Sequence, residues 1–192
     1  MKVRDSGMPD EEMWIGFFDP AKVLSVLGLD CGLKDIVEFG CGYGTFTLAA
    51  AAIASGTVHA LDIEPIMIEI VRQKCFDADI SNVEVTLRDF VATGTGLANN
   101  SMDAALLFNI LHHEEPVALM KEALRILKPN GVLAVIHWNY DPATPRGPAM
   151  EIRPQPEQCI QWGLEAGFNF LKQDRYDLPP HHYGLTFKKS LS

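Results

Sequence analysis

The residues of this chain best placed to do chemistry are two acids, a cluster of glycines and a pair of adjacent histidines. Glu38-Phe39-Gly40-Cys41-Gly42-Tyr43-Gly44 follows an apolar start at Ile36 and Val37, and an alanine-rich stretch, residues 46–52, comes next. That order predicts strand, tight turn, helix. Glycine suits such a turn because it takes up positive φ freely and lets main-chain N–H groups approach a ligand. The spacing differs from the G-x-G-x-x-G that seats a pyrophosphate, because Thr45 holds the third place. A carboxylate beside the turn also favours a cationic group over a phosphate. A turn that serves the fold alone is the plain alternative. Asp62 lies 22 residues beyond Gly40, at the end of a second apolar run. That distance suits a carboxylate at the tip of the neighbouring strand. Further on, Asn109-Ile110-Leu111-His112-His113 follows a third long apolar run.

Glu38-Phe39-Gly40-Cys41-Gly42-Tyr43-Gly44 resembles motif I of the class I S-adenosylmethionine-dependent methyltransferases. Ala123-Leu124-Arg125-Ile126-Leu127-Lys128-Pro129-Asn130-Gly131-Val132-Leu133 resembles a later stretch of the same family, which often reads L-R-x-L-K-P-G-G-x-L. The likeness covers residues 36–138 in the right order. It implies S-adenosyl-L-methionine as cofactor, held by Glu38, Gly40, Cys41, Gly42 and Gly44 at the turn. Asp62 then takes the ribose diol, Ile63 covers one face of the adenine, Asp89 and Phe90 meet the adenine edge, and Asn109 joins them. Each charge-assisted hydrogen bond of this kind contributes about 1.5–3 kcal/mol. Asp89 also suits a helix N-cap, and the two roles are compatible.

The departures from the family narrow the chemistry. N-P-P-Y, frequent where amide or base nitrogens are methylated, is absent after Asn109. Asn109 is also a poor ligand for a metal-assisted transfer. His112 and His113 remain as general-base candidates, since imidazole titrates near neutral pH. A structural role at a helix start is the alternative for either. The reaction implied is methyl transfer to a small-molecule acceptor whose nucleophilic atom stays open. Two other classes are carried: a non-catalytic S-adenosylmethionine-binding relative, and an NAD-dependent oxidoreductase, which the glycine spacing disfavours.

These residues need elements to hold them. Apolar runs at 36–39, 57–62, 83–87, 102–109 and 132–138 alternate with helical patterns: one opened by Pro65 with Met67, Ile70, Val71, Cys75 and Ala78 as its apolar face, one over residues 116–128, and one opened by Pro156. Residues 168–176 and 183–189 complete the set as a closing hairpin. The family resemblance implies a doubly wound α/β sheet of seven mostly parallel strands, order 3-2-1-4-5-7-6, with the last antiparallel. Residues 1–30 are expected to form a helical lid or extension, and residues 31–192 the cofactor-binding domain. Trp14 and Phe17 in the extension, and Trp138, Tyr140 and Arg146 after the fifth strand, are substrate-side candidates, with Arg153 beside them. Simple packing is the alternative for the aromatic cluster. His181-His182 is expected in a loop.

Composition sets the limits. The chain has 192 residues, 47% hydrophobic and 21% charged, which suits one domain with a sizeable core. A net charge of −9 without a basic run disfavours wholesale nucleic-acid binding. Cys31, Cys41, Cys75 and Cys159 form no C-x-x-C pair, and the histidines are scattered, so no metal is expected. The polar, acidic start and the lack of a long apolar run predict a cytoplasmic protein without a membrane span. Oligomeric state is not legible.

Overall fold

Strand ends decide where chemistry can occur in an open α/β sheet, so the order of strands comes first. The computed structural model describes residues 9–191. Of the extension expected over residues 1–30, residues 1–8 lie outside the described residues. The chain runs α1 (Glu11–Ile15), α2 (Pro20–Val26), β1 (Ile36–Phe39), α3 (Thr45–Ile53), β2 (Val58–Asp62), α4 (Pro65–Asp77) and β3 (Val83–Leu87). It continues α5 (Phe90–Thr93), β4 (Met102–Phe108), α6 (Pro116–Ile126), β5 (Leu127–Trp138), α7 (Pro156–Ala166), β6 (Arg175–Leu178) and β7 (His182–Lys188). The seven strands lie in the order β3-β2-β1-β4-β5-β7-β6. Neighbours from β3 to β5 are parallel, and β7 is antiparallel to both β5 and β6.

Alternation along each strand divides the core between two faces. On β4, Ala105 and Leu107 face α6 and α7, where Met120, Ala123 and Cys159 meet them. Ala104, Leu106 and Phe108 face the other side and share a cluster with Phe46, Ala50, Leu24, Leu27 and Trp14. The N-terminal segment thus packs into the same core as the sheet. Asp19 caps α2, accepting the Lys22 N–H at 3.1 Å, with Pro20 at the first helical position. Lys74 of α4 pairs with Glu11 of α1 and donates to the Tyr43 carbonyl at 2.6 Å, which ties the segment down.

The lower pole of the sheet, away from the strand tips, is also tied. Asp103 Oδ2 accepts the Asp35 N–H at 2.8 Å and the Lys34 N–H at 3.2 Å, and Lys128 Nζ lies 2.9 Å from it. Lys128 also reaches Asp35 at 3.4 Å, and Asp35 accepts the Thr57 N–H at 3.2 Å. Burial opposes ionisation of Asp103, but the Asp35 N–H and Lys128 outweigh it and hold its carboxyl below the usual range.

Four local expectations need correction. The sixth helix ends at Ile126, not Lys128, because Leu127 is already extended, buried and paired with Met102. The chain then bulges through Pro129 and Asn130, the latter at φ 65°, before Val132 pairs with Ala104. In α4 the buried face is Ile68, Val71 and Cys75, while Ala78 is the exposed C-cap. Residues 168–174 are not strand: they hold an isolated Asn169–Lys188 bridge and a short turn over Lys172–Asp174. Lastly, His182 is not in the loop but opens β7, buried among Trp14, Phe17, Phe18 and Trp138. Among the described residues no helix is long and apolar enough to cross a membrane.

Candidate active site

β1 ends in a bend where three glycines take positive φ: Gly40 at 75°, Gly42 at 51° and Gly44 at 79°. Gly44 is also the N-cap of α3, and a Cβ there would lie 3.0 Å from Val71 of α4. The bend is therefore tight for steric reasons as well as conformational ones. Its N–H groups are largely engaged within the fold. Gly40 and Cys41 donate to the Leu61 carbonyl at 2.8 and 2.9 Å, and Gly44 donates to Cys41 at 2.8 Å. Gly42 donates to Asp62 Oδ2 at 2.9 Å. The glycines thus let β1 curl against β2, and the side chains around them carry the chemistry.

Two of those side chains are buried acids. Glu38 accepts from the Thr47 hydroxyl, and burial pushes its carboxyl up to about 8, with Thr47 opposing and Asp62 reinforcing the rise. Asp62 accepts the Glu64 N–H at 2.9 Å as well as that of Gly42. Burial raises it too, and these N–H groups oppose the rise. Two accepted bonds leave a carboxylate with further lone pairs for a ligand. Burial likewise pushes the Cys41 thiol up, so it is no nucleophile at neutral pH.

Glu38 and Asp62 border one cleft, whose floor is Gly40, Cys41 and Gly42. Ile63, Asp89 and Phe90 line one end. Asp89 is exposed and accepts the Ala92 N–H at 2.9 Å, capping α5 while facing the cleft. Phe90 meets Phe39 edge-on at 5.4 Å. Trp14, Phe46, Phe108, Leu119 and Trp138 form apolar walls, with His112 and His113 among them. Asn109 sits at φ 57° with its N–H on the Ile136 carbonyl at 2.7 Å. Its side-chain amide is buried without a hydrogen-bond partner among the described residues, as is the Thr45 hydroxyl. Orphaned groups of this kind at a cleft wall call for a polar ligand.

The two histidines differ. His113 Nδ1 accepts the Glu115 N–H at 3.1 Å and closes the turn into α6. His112 Nδ1 lies 3.4 Å from Nε2 of His137, a residue of β5. Burial, aided by His113, pushes the His112 imidazole down to about 4.

Several sequence candidates sit elsewhere. Gly44, Phe17, Tyr140 and Arg146 are not among the cleft's lining residues. Phe17 packs behind it, 5.6 Å from Trp138 and 5.3 Å from His181. Arg153 is buried and gathers the carbonyls of Asn139, Asp141, Arg146 and Pro148, which folds the proline-punctuated loop back on itself and leaves Tyr140 and Arg146 exposed. Phe46, Phe108 and Leu119 were missed as wall residues. The end of a buried strand was a usable signal for Phe108, and nothing in the sequence marked the other two.

A profile of the methyltransferase domain matches residues 37–135, over half of the chain. The chain belongs to the class I S-adenosylmethionine-dependent methyltransferase family. A solved S-adenosylmethionine-dependent methyltransferase from Aquifex aeolicus superposes with a TM-score of 0.82 at 24% identity, over 93% of this chain and 94% of that one. The [4+2]-cyclase SpnF shares the fold at a TM-score of 0.73 and 18% identity, over 90% of this chain and 82% of that one. A ubiquinone biosynthesis O-methyltransferase of Actinobacillus pleuropneumoniae is 30% identical over 129 residues, 62% of this chain and 55% of the relative. A protein in a Streptomyces fradiae transposon is 30% identical over 161 residues, 79% of this chain and 46% of the relative. The chain spans about half the length of these curated relatives.

Proposed function

We propose that this methyltransferase moves a methyl group from S-adenosyl-L-methionine to a small-molecule acceptor. The observation that carries the reading is the pair of buried acids, Glu38 and Asp62, on one cleft beside a glycine bend. Once ionised, such a pair repels a diphosphate, and a bound amino group or sulfonium favours that ionised form, while Asp62 suits a ribose diol. The residues fit the cofactor: Asp62 would hold the diol, Glu38 and the amide of Asn109 the polar end, and Ile63, Asp89 and Phe90 the adenine. When bound, the cofactor supplies an already activated methyl group. The protein's share is alignment and exclusion of water, which the aromatic and aliphatic walls provide. On this reading Trp14 is the part of the N-terminal extension that closes the cleft.

Calorimetry tests it. S-adenosylhomocysteine should bind and NADH should not, and Asp62→Ala should lower affinity for the former at least tenfold with the fold retained by circular dichroism. NADH binding, or an unaffected Asp62→Ala, would overturn the assignment.

A further inference from the structure

His137 is the one titratable side chain in the run Val132-Leu133-Ala134-Val135-Ile136-His137-Trp138, and it is wholly buried. Its ring stacks on Tyr183 at 6.3 Å and 29°. Tyr183 is fixed in turn by donating to the Pro154 carbonyl at 3.0 Å. Nδ1 of His137 has no hydrogen-bond partner among the described residues, and Nε2 faces His112 Nδ1 at 3.4 Å. The rings meet edge-on, 5.5 Å between centroids. Catalytic hydrogen bonds are often long without substrate and tighten in the complex.

Resting on the function proposed above, we infer that His137 positions His112 as the general base for a hydroxyl on a flat, apolar acceptor. The assignment has His137 Nε2 accept from His112 Nδ1–H, which places the His137 proton on Nδ1, without an acceptor among the described residues, and leaves the His112 lone pair on Nε2, while the reverse direction would make His112 Nε2 a donor; His112 lines the cleft. His113 cannot take this part. Its Nδ1 accepts the Glu115 N–H, so the neutral ring carries its proton on Nε2 and offers a donor.

The acceptor class follows from the walls. Trp14, Phe46, Phe108, Leu119 and Trp138 bring no charge, which suits an uncharged, planar molecule. Burial keeps the His112 imidazole neutral but weakly basic. A weak base cannot strip an ammonium ion, but it suits a hydroxyl, whose proton becomes steeply more acidic as oxygen gains carbon. In the step, the acceptor oxygen bonds the methyl carbon as the sulfur–carbon bond breaks with its pair left on sulfur. The O–H pair stays on oxygen and the proton passes to His112 Nε2.

Nitrogen-15 spectra of the histidine-labelled full chain, with S-adenosylhomocysteine present, read the tautomers directly. His112 should be neutral with its proton on Nδ1. His137→Leu should move that proton to Nε2, and His137→Gln, whose carbonyl oxygen can still accept, should restore Nδ1–H. An Nε2–H His112 in the wild type overturns the arrangement, as does a tautomer indifferent to His137→Leu. If the leucine variant fails to fold, the wild-type and glutamine spectra decide. For the acceptor class, 4-nitrophenol added to the same complex should bind as the neutral phenol, its hydroxyl donating to His112 Nε2, so that its phenolate fraction falls at fixed pH and the His112 Nε2 resonance shifts; His112→Ala should abolish the fall. An unchanged phenolate fraction and an unmoved Nε2 resonance with the wild type overturn the hydroxyl assignment. Calorimetry on the same sample separates the readings: bound S-adenosylhomocysteine with the wrong tautomer sinks only this inference, and no binding sinks the proposed function.

Discussion

Glu38 shows how far a single residue's surroundings shift its chemistry. Burial, opposed by the Thr47 hydroxyl and reinforced by Asp62, raises its folded value to about 8, against an ordinary 4.5. Between those values the folded chain holds a proton that the unfolded chain has released, so stability falls as pH rises through that window. Urea midpoints should therefore decline from about pH 5 to about pH 8, and Glu38→Gln, which cannot ionise, should flatten the decline. An equal slope in the variant would show that Glu38 is ionised throughout. Glu38 and Asp62 were both legible in the sequence because a short turn and a regular strand-to-strand distance fix their places. His137 was not. A lone histidine in an apolar strand says nothing of its partner, which here arrives from a turn 25 residues away in sequence.

At the scale of elements, the bend at Gly40, Gly42 and Gly44 depends on α4 as much as on its own backbone. At Gly44 an alanine would combine positive φ with a Cβ only 3.0 Å from Val71. Gly44→Ala should cost about 1–3 kcal/mol in denaturant unfolding and weaken S-adenosylhomocysteine binding. A neutral result would mean that Val71 yields and the bend is looser than drawn. Strand and helix positions were legible from periodicity, since burial on one or both faces writes itself into the residue pattern. Boundaries set by partners were not. Leu127 joins the sheet because Met102 offers it a pairing, although its own surroundings read as helix. Residues 168–174 look like a strand, yet with Asn169 alone bridging Lys188 they gain no ladder.

For the molecule as a whole, the N-terminal segment belongs both to the core and to the wall of the cleft. Trp14 contacts Phe18, Trp138 and His182 in the core and also lines the cleft. Trp14→Ala should lower unfolding free energy by about 3–5 kcal/mol, as for other buried tryptophans, together with ligand affinity. A loss of affinity at unchanged stability would instead mark a lid that merely rests on the sheet.

At the opposite pole, Asp103 and Lys128 join the starts of β1, β4 and β5, and Asp35 draws in Thr57 just ahead of β2. Strands pinned at one end can fan apart only at the other. Thermal breathing of the sheet is thereby channelled to the tips that carry Glu38, Asp62 and Asn109. Entry of a ligand can then proceed by splaying those tips, with no need for whole layers to slide past one another.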